Sequence, residues 1–185
     1  MGGACRSYRV RMIRRRVLPA SAAVWLTAAT LALTGCGDPA PAPTPTPTGF
    51  ASEAEAFAAA EETYRAYVDA LNQVDLSDPT TFEEVYRWTT GDLNASDRES
   101  FSAWHANGYS LVGKSRIQTV APLGVSTLGQ VTLAACYDVS RVDIRTKEGI
   151  SVVAPDRTVV QALEVVVDGP GRRVAAVNAT EDLQC

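Results

Sequence analysis

The 185-residue chain is long enough for one domain with extensions, and its charge is unevenly distributed. Six arginines and no acidic residue precede Val17, so residues 36–185 hold 11 basic and 21 acidic residues, a net charge of −10. This negative charge repels nucleic acid and anionic lipid headgroups, which argues against binding of either through a basic patch.

The N-terminus has the pattern of an export signal. Arg14, Arg15 and Arg16 precede an uncharged segment, residues 17–37, which is apolar, contains several threonines and ends in small residues. We therefore predict that residues 1–35 are a signal peptide, and Met12, just before the arginines, is an alternative start. An uncleaved transmembrane anchor is the other interpretation, because the segment is long enough to cross a bilayer.

The segment Leu33-Thr34-Gly35-Cys36 resembles the lipobox of bacterial lipoproteins. In that family the cysteine thiol carries a diacylglycerol and the signal is cut just before it, so that two or more acyl chains hold the protein at the membrane. The resemblance implies that Cys36 is lipidated on the extracytoplasmic face of the cell membrane. The alternative is a secreted protein with an incidental cysteine.

A proline-rich tract separates Cys36 from the rest of the chain. Residues 38–49, DPAPAPTPTPTG, contain five prolines, and each proline fixes its own φ and favours an extended conformation in the residue before it. We therefore predict a linker over residues 36–49, extended like polyproline II, and a folded domain over residues 50–185.

The first half of that domain has helical patterns and the second half has strand patterns. Ser52 and Glu55 form a capping box before apolar residues at helical spacing, Pro79 takes a first helical position, and Ser96 and Glu99 form a second capping box. Three helices are predicted, over about 52–73, 78–91 and 96–107.

After Gly108 apolar residues recur with a period of two, as in strands, and Pro122 indicates an edge or a bulge. The apolar phase slips near Ser140, which indicates a bend. Helices followed by antiparallel strands predict an α+β fold class. The predicted strands cover 109–112, 117–125, 131–139, 142–144, 159–167 and 174–179.

This order of elements over residues 52–182 is similar to the nuclear transport factor 2 superfamily, which includes SnoaL-type polyketide cyclases and ketosteroid isomerase. The segments TYRAYVDALNQVDLSDPTTFEEVYRWTTGDLNASDRESF and VTLAACYDVS resemble actinobacterial envelope lipoproteins assigned to that superfamily. The resemblance implies helices packed on a curved antiparallel sheet, with a cone-shaped pocket between them.

Two cysteines remain once Cys5 is assigned to the signal and Cys36 to the lipid. In an exported domain a disulfide is the expected state of such a pair, so we predict a Cys136–Cys185 bond that pins the C-terminal tail to the outer face or edge of the sheet. We expect no metal or other cofactor, because two thiolates and one distant histidine fall short of a tetrahedral zinc site.

Three titratable residues are candidates for chemistry. His105, the only histidine, borders the apolar face of the third helix, where it is either a general acid or base at a pocket mouth or, as we favour, a helix-end histidine. Asp138 and Glu164 lie on the more polar face of their strands and are expected to face water.

Four aromatic residues of the predicted helices are candidates to line a pocket for an apolar or aromatic ligand, although such residues are more often plain core. They are Tyr64, Tyr67, Tyr86 and Trp104.

The sequence contains no nucleophile elbow, phosphate-binding loop or zinc-protease motif. It predicts a membrane-anchored extracytoplasmic lipoprotein whose domain is a non-catalytic module that binds an envelope protein or a small apolar ligand, with no nucleic acid. The alternative is a SnoaL-like isomerase, cyclase or dehydratase acting on a hydrophobic carbonyl compound, which needs an acid or base with a perturbed pKa inside a pocket. A structural spacer is a third interpretation.

Overall fold

The computed structural model describes residues 49–185, so the predictions for the signal peptide, Cys36 and most of the linker lie outside the described residues. Within this part the helices come first and antiparallel strands follow, which confirms the α+β class. A 3-10 turn, Pro79–Thr81, precedes the second helix. The elements are α1 (Glu53–Leu71), α2 (Phe82–Trp88), α3 (Gly91–Asn107), β1 (Ser110–Val112), β2 (Arg116–Val125), β3 (Gln130–Asp138), β4 (Asp143–Arg145), β5 (Val160–Asp168) and β6 (Arg173–Ala179).

Helix α1 begins where the capping box predicts. The Ser52 side chain accepts a hydrogen bond from the Glu55 amide at 3.2 Å, and the Glu55 carboxylate accepts one from the Ala51 amide at 2.9 Å. The first bond satisfies an amide of the first helical turn, which has no partner within the helix, and the second satisfies the amide of the residue before Ser52. The other end of the helical region is also as predicted, because Gly108 terminates α3 in the left-handed conformation with φ 68°.

Helix α3 begins at Gly91, and the capping box predicted at Ser96 is wrong. Thr90, just before the helix, is extended, and its amide donates to the carbonyl of Val174 on β6 at 2.9 Å. The side-chain amide of Asn94 donates to the Tyr86 carbonyl at 2.9 Å and to the Thr89 hydroxyl at 2.8 Å. These tertiary contacts fix the turn between α2 and α3, so that the helix starts one and a half turns earlier than its local pattern indicates.

The strands form a four-stranded antiparallel sheet with the order β2-β3-β5-β6. Strand β2 is an edge strand with a register shift between Pro122 and Gly124, as the proline predicts. The phase slip near Ser140 is a change of partner: β4 leaves the main sheet and pairs with β1, with Leu111 opposite Ile144.

The core lies between the helices and one face of this sheet. Leu133 and Val165 are buried against Tyr64 of α1 in one hydrophobic cluster, which also holds Phe82 and Phe101 of the other helices. Side chains alternate along a strand, so Cys136 and Asp138 belong to the opposite face of β3. Burial of the apolar side chains in this cluster is the main driving force that holds the helices on the sheet.

The predicted disulfide is confirmed: Cys136 and Cys185 are bonded, with 5.6 Å between their Cα atoms. Strand β5 separates β3 from β6, so the tail that follows β6 passes β5 before its last residue reaches β3. Thr180 at the start of the tail donates its amide to the Ala162 carbonyl of β5 at 3.0 Å. Of the helices in residues 49–185, none combines the length and apolar character needed to cross a bilayer.

Candidate functional site

His105 lies in the last turn of α3, with an exposed ring. Its Nδ1 is 2.7 Å from the Leu76 carbonyl, which can only accept, so Nδ1 carries the proton. The ring also packs edge-on against Phe82, with 6.4 Å between centroids. The bond to Leu76 ties the end of α3 to the loop after α1. His105 does not line the cavity beside Tyr64 or the cavity beside Trp104.

Asp138 does not face water, contrary to the prediction, and is 5% exposed. Its carboxylate accepts hydrogen bonds from the Ser140 amide at 2.9 Å, the Arg116 side chain at 2.9 Å and the Gln118 side chain at 3.3 Å. The bonds from Ser140, above all, hold the pKa of Asp138 well below its usual range. Asp138 therefore joins β2 to the turn after β3 as a fully paired anion. Glu164, on β5, is half-buried on the same face of the sheet as Asp138.

Three of the four predicted aromatic residues line two cavities, Tyr64 and Tyr67 a larger one and Trp104 a smaller one. Tyr64 and Tyr67 of α1 line the larger cavity, about 760 Å³, together with Gln161 and Leu163 of β5 and residues of the C-terminal tail that include Cys185. Burial raises the pKa of both tyrosines, so each hydroxyl stays protonated at neutral pH. The side chains that line this cavity are all neutral.

Tyr86 lines neither cavity. Its buried ring lies under the Arg98 guanidinium, 3.9 Å from the ring centroid, in a cation–π contact. Arg98 also donates to the Asn94 side chain at 3.0 Å. Both contacts hold the Arg98 charge on the α2 side of α3.

The smaller cavity, about 220 Å³, is here called the Asp97 cavity. It lies where the C-terminal end of α1 and the middle of α3 meet β1, β4 and the end of β3, and its walls are mainly apolar. Tyr137 and Leu71 border both cavities. The Asp97 cavity is lined by Leu71, Asn72, Asp97, Ser100, Phe101, Trp104, Leu111, Gly113, Ser115, Tyr137, Val142 and Ile144.

The Asp97 carboxylate is the charged group of this cavity. Its Oδ2 atom is buried and has no hydrogen-bonding partner within residues 49–185. Burial raises the pKa of Asp97 from 3.8 to about 6, because an apolar surrounding disfavours the charged form. The Asp97 charge in turn contributes to the high pKa of Tyr67. At neutral pH the cavity therefore holds a carboxylate that the described part of the chain leaves unpaired.

A chain of hydrogen bonds borders the same cavity. The Tyr137 hydroxyl lies 2.7 Å from the Ser115 hydroxyl, which lies 3.0 Å from the Asn72 side-chain oxygen. The Asn72 side chain also bonds both backbone groups of Ser115: its oxygen accepts from the amide at 2.9 Å and its nitrogen donates to the carbonyl at 3.0 Å. Asn72 thus ties the C-terminal end of α1 to the residue before β2.

These bonds fix the direction of every proton in the chain. A backbone amide can only donate and a carbonyl can only accept, so the two backbone bonds of Ser115 orient the Asn72 amide. The Asn72 oxygen then forces the Ser115 hydroxyl to donate to it, and the Ser115 hydroxyl forces that of Tyr137 to donate in turn. What Tyr137 retains for a bound molecule is the lone pair of its phenolic oxygen.

Asp97 and Tyr137 supply hydrogen-bond acceptors to a cavity whose walls are mainly apolar. Asn72, Ser100 and Trp104 also line it, and each carries an N–H or O–H donor. Within residues 49–185, no group of three histidine, cysteine or acidic side chains is close enough to hold a metal ion. Such an arrangement can bind a molecule that donates hydrogen bonds, and a carboxylate with a pKa near 6 can also accept a proton from one.

Sequence reasoning missed Asp97, Asn72, Ser115 and the role of Tyr137. A helix that starts at Ser96 places Asp97 in its first turn, where an acidic residue is favourable and gives no sign of a site. Once α3 starts at Gly91, Asp97 falls four residues before Phe101 and seven before Trp104, on the apolar stripe. An acidic residue on such a stripe is the signal that could have identified it. The contact between Asn72 and Ser115 spans 43 residues and has no local pattern.

Comparisons with known proteins do not place the chain in a family. No protein-family model and no curated protein matches the sequence. Among solved structures, the chain is similar to a de novo designed β-sheet protein determined by solution NMR, with 14% identity and a TM-score of 0.32; the match covers 69% of this chain and 88% of that one. A similarity at this level carries no functional argument.

Proposed function

We propose that this protein is a lipoprotein anchored through Cys36 to the extracytoplasmic face of the cell membrane, and that its folded domain binds a small, mostly apolar ligand in the Asp97 cavity. The lipobox-like sequence at Cys36 and the proline-rich linker support the anchor. The Cys136–Cys185 disulfide supports an oxidising compartment, since disulfides persist outside the cytoplasm. We include in this proposal the fold of the nuclear transport factor 2 superfamily, with a cone between α1 and a curved sheet.

One observation carries the ligand site: Asp97, whose buried Oδ2 atom has no hydrogen-bonding partner within residues 49–185, lines a mainly apolar cavity. A folded protein seldom leaves a buried acceptor unpaired, because the lost hydration is not recovered, and such an exception calls for an explanation. A ligand that pairs with Asp97 supplies one. Binding without catalysis is the simplest function that this arrangement supports.

A cavity-filling variant tests the proposal. Ser100 lines the Asp97 cavity from α3, whereas Ser102, on the same helix, is exposed. We expect Ser100→Phe to occupy the cavity and abolish binding of small aromatic probes (benzylamine, benzyl alcohol and acetophenone), measured by calorimetry on the full chain. Ser102→Phe is the matched control and should bind like the wild type. Equal binding of a probe by Ser100→Phe and the wild type would place the site elsewhere.

The raised pKa of Asp97 favours a second candidate, an enzyme that removes a proton next to a carbonyl group. A carboxylate with a pKa of about 6 is a stronger base than an ordinary aspartate and is still ionised at neutral pH. The acetophenone arm of the same experiment separates the two functions. If the protein is an enzyme, the wild type should exchange the methyl protons of acetophenone in deuterated buffer faster than the Ser100→Phe variant does. If it is a binding module, the two proteins should give the same exchange rate.

A further inference from the structure

We infer that the ligand of the Asp97 cavity is a small organic ammonium ion, with an apolar or aromatic body and a protonated amine that pairs with Asp97 and Tyr137. This inference rests on the proposed binding function and specifies its ligand class. It follows from the polarity of the groups that the cavity exposes.

The hydroxyl groups of the hydrogen-bond chain donate their protons within the chain. Tyr137 donates to Ser115, Ser115 donates to Asn72, and the Asn72 amide donates to the Ser115 carbonyl. A ligand with a carbonyl group needs a donor. The hydroxyl protons of Tyr137 and Ser115 are committed, and one of the two N–H groups of the Asn72 side chain remains. A ligand with several N–H donors matches the phenolic lone pair of Tyr137 and the carboxylate of Asp97.

The charge of Asp97 has no counterion within residues 49–185. No salt bridge within residues 49–185 involves Asp97. The nearest cation in sequence, Arg98, is turned to Tyr86, where its guanidinium stacks at 3.9 Å. A partly buried carboxylate without a counterion loses hydration that nothing replaces, and a bound cation would offset that cost. The net charge of −10 over residues 36–185 also attracts cations rather than anions.

The wall of the cavity is partly aromatic. Phe101 and Trp104 line it with their rings 5.7 Å apart between centroids. Aromatic faces attract ammonium groups through their quadrupoles and also bury apolar surface. A volume of about 220 Å³ accommodates a body of roughly seven to eleven non-hydrogen atoms, at about 20–30 Å³ for each atom.

Three probes of similar size test the ligand class. Benzylamine is a cation at neutral pH, benzyl alcohol is neutral with one donor, and acetophenone has only an acceptor. We expect benzylamine to bind the full chain with a Kd about tenfold or more below that of either neutral probe, measured by calorimetry at pH 7.5. Tighter binding of acetophenone or benzyl alcohol than of benzylamine would overturn the inference but leave the proposed binding function intact. If none of the probes binds, the proposed function fails as well.

Asp97→Asn identifies the partner of the amine. The asparagine has nearly the same shape but no charge, so we expect the benzylamine Kd to rise about tenfold or more while the benzyl alcohol Kd changes less than about threefold. Tyr137→Phe, which removes the phenolic acceptor, should weaken benzylamine by a smaller factor. Glu99→Gln is the matched control, because Glu99 is an exposed acid on the same helix. Unchanged benzylamine affinity in Asp97→Asn would show that the amine does not pair with Asp97.

Discussion

Asp97 occupies a position on α3 that its environment makes unfavourable for a charge. Its burial raises the pKa to about 6, so the folded protein binds a proton more tightly than the unfolded chain, in which the value is near 3.8. The stability contributed by the neutral carboxyl is therefore fully present below about pH 4 and is lost as the pH rises through about 6. Tyr67 and Tyr86, whose pKa values the Asp97 charge also helps to raise, are uncharged throughout this range.

Asp97→Asn should remove this pH dependence. We expect the variant to match the wild type near pH 4 and to exceed its free energy of unfolding by roughly 1 kcal/mol at pH 7.5, since part of the side chain is screened by solvent. Urea unfolding across pH 4 to 8 measures both curves. Glu99→Gln serves as the exposed control and should show no such gain between pH 4 and 7. A constant difference between Asp97→Asn and the wild type across that range would contradict the assigned burial cost.

At the scale of the elements, local patterns predicted what local chemistry controls. The start of α1 depends on Ser52 and Glu55, three residues apart, and alternation along β3 places Leu133 and Ala135 in the core. The start of α3 depends instead on Thr90, whose amide pairs with Val174 of β6. A bond across more than eighty residues has no local sequence pattern. The start of α3 was therefore missed, and so was the position of Asp97 on its apolar stripe.

The candidate site was unpredictable for the same reason. Its hydrogen-bond chain joins the end of α1, the residue before β2 and the end of β3, and each of its residues is ordinary in its own segment. The disulfide was predictable, because exclusion of the other two cysteines left one pair. A sequence predicts the partner of a residue when few partners are possible, as for the cysteines. When the partners come from distant elements, as in the hydrogen-bond chain, only the folded structure identifies them.

The disulfide connects the C-terminal tail to β3 and closes a loop of 49 residues. Closure of such a loop restricts the unfolded chain and contributes up to about 4 kcal/mol in the chain-entropy account. We expect reduction of the wild type to lower its denaturation midpoint by an amount that corresponds to a few kcal/mol. Cys185→Ser should have the lower midpoint with or without reductant. If reductant leaves the wild-type midpoint unchanged, the bond contributes nothing to stability.

At the scale of the whole molecule, the proposed anchor and the folded domain are joined by a tract with five prolines over residues 38–49. Acyl chains at Cys36 would hold the protein at the membrane, because two chains bind stably where one binds reversibly. Cys36→Ala removes the thiol that would carry them, so we expect this variant to move from the membrane fraction to the soluble extracytoplasmic fraction. Cys185→Ser, the matched cysteine control, should remain with the membrane. A Cys36→Ala protein that still sediments with membranes would show that the segment before Cys36 is an uncleaved anchor.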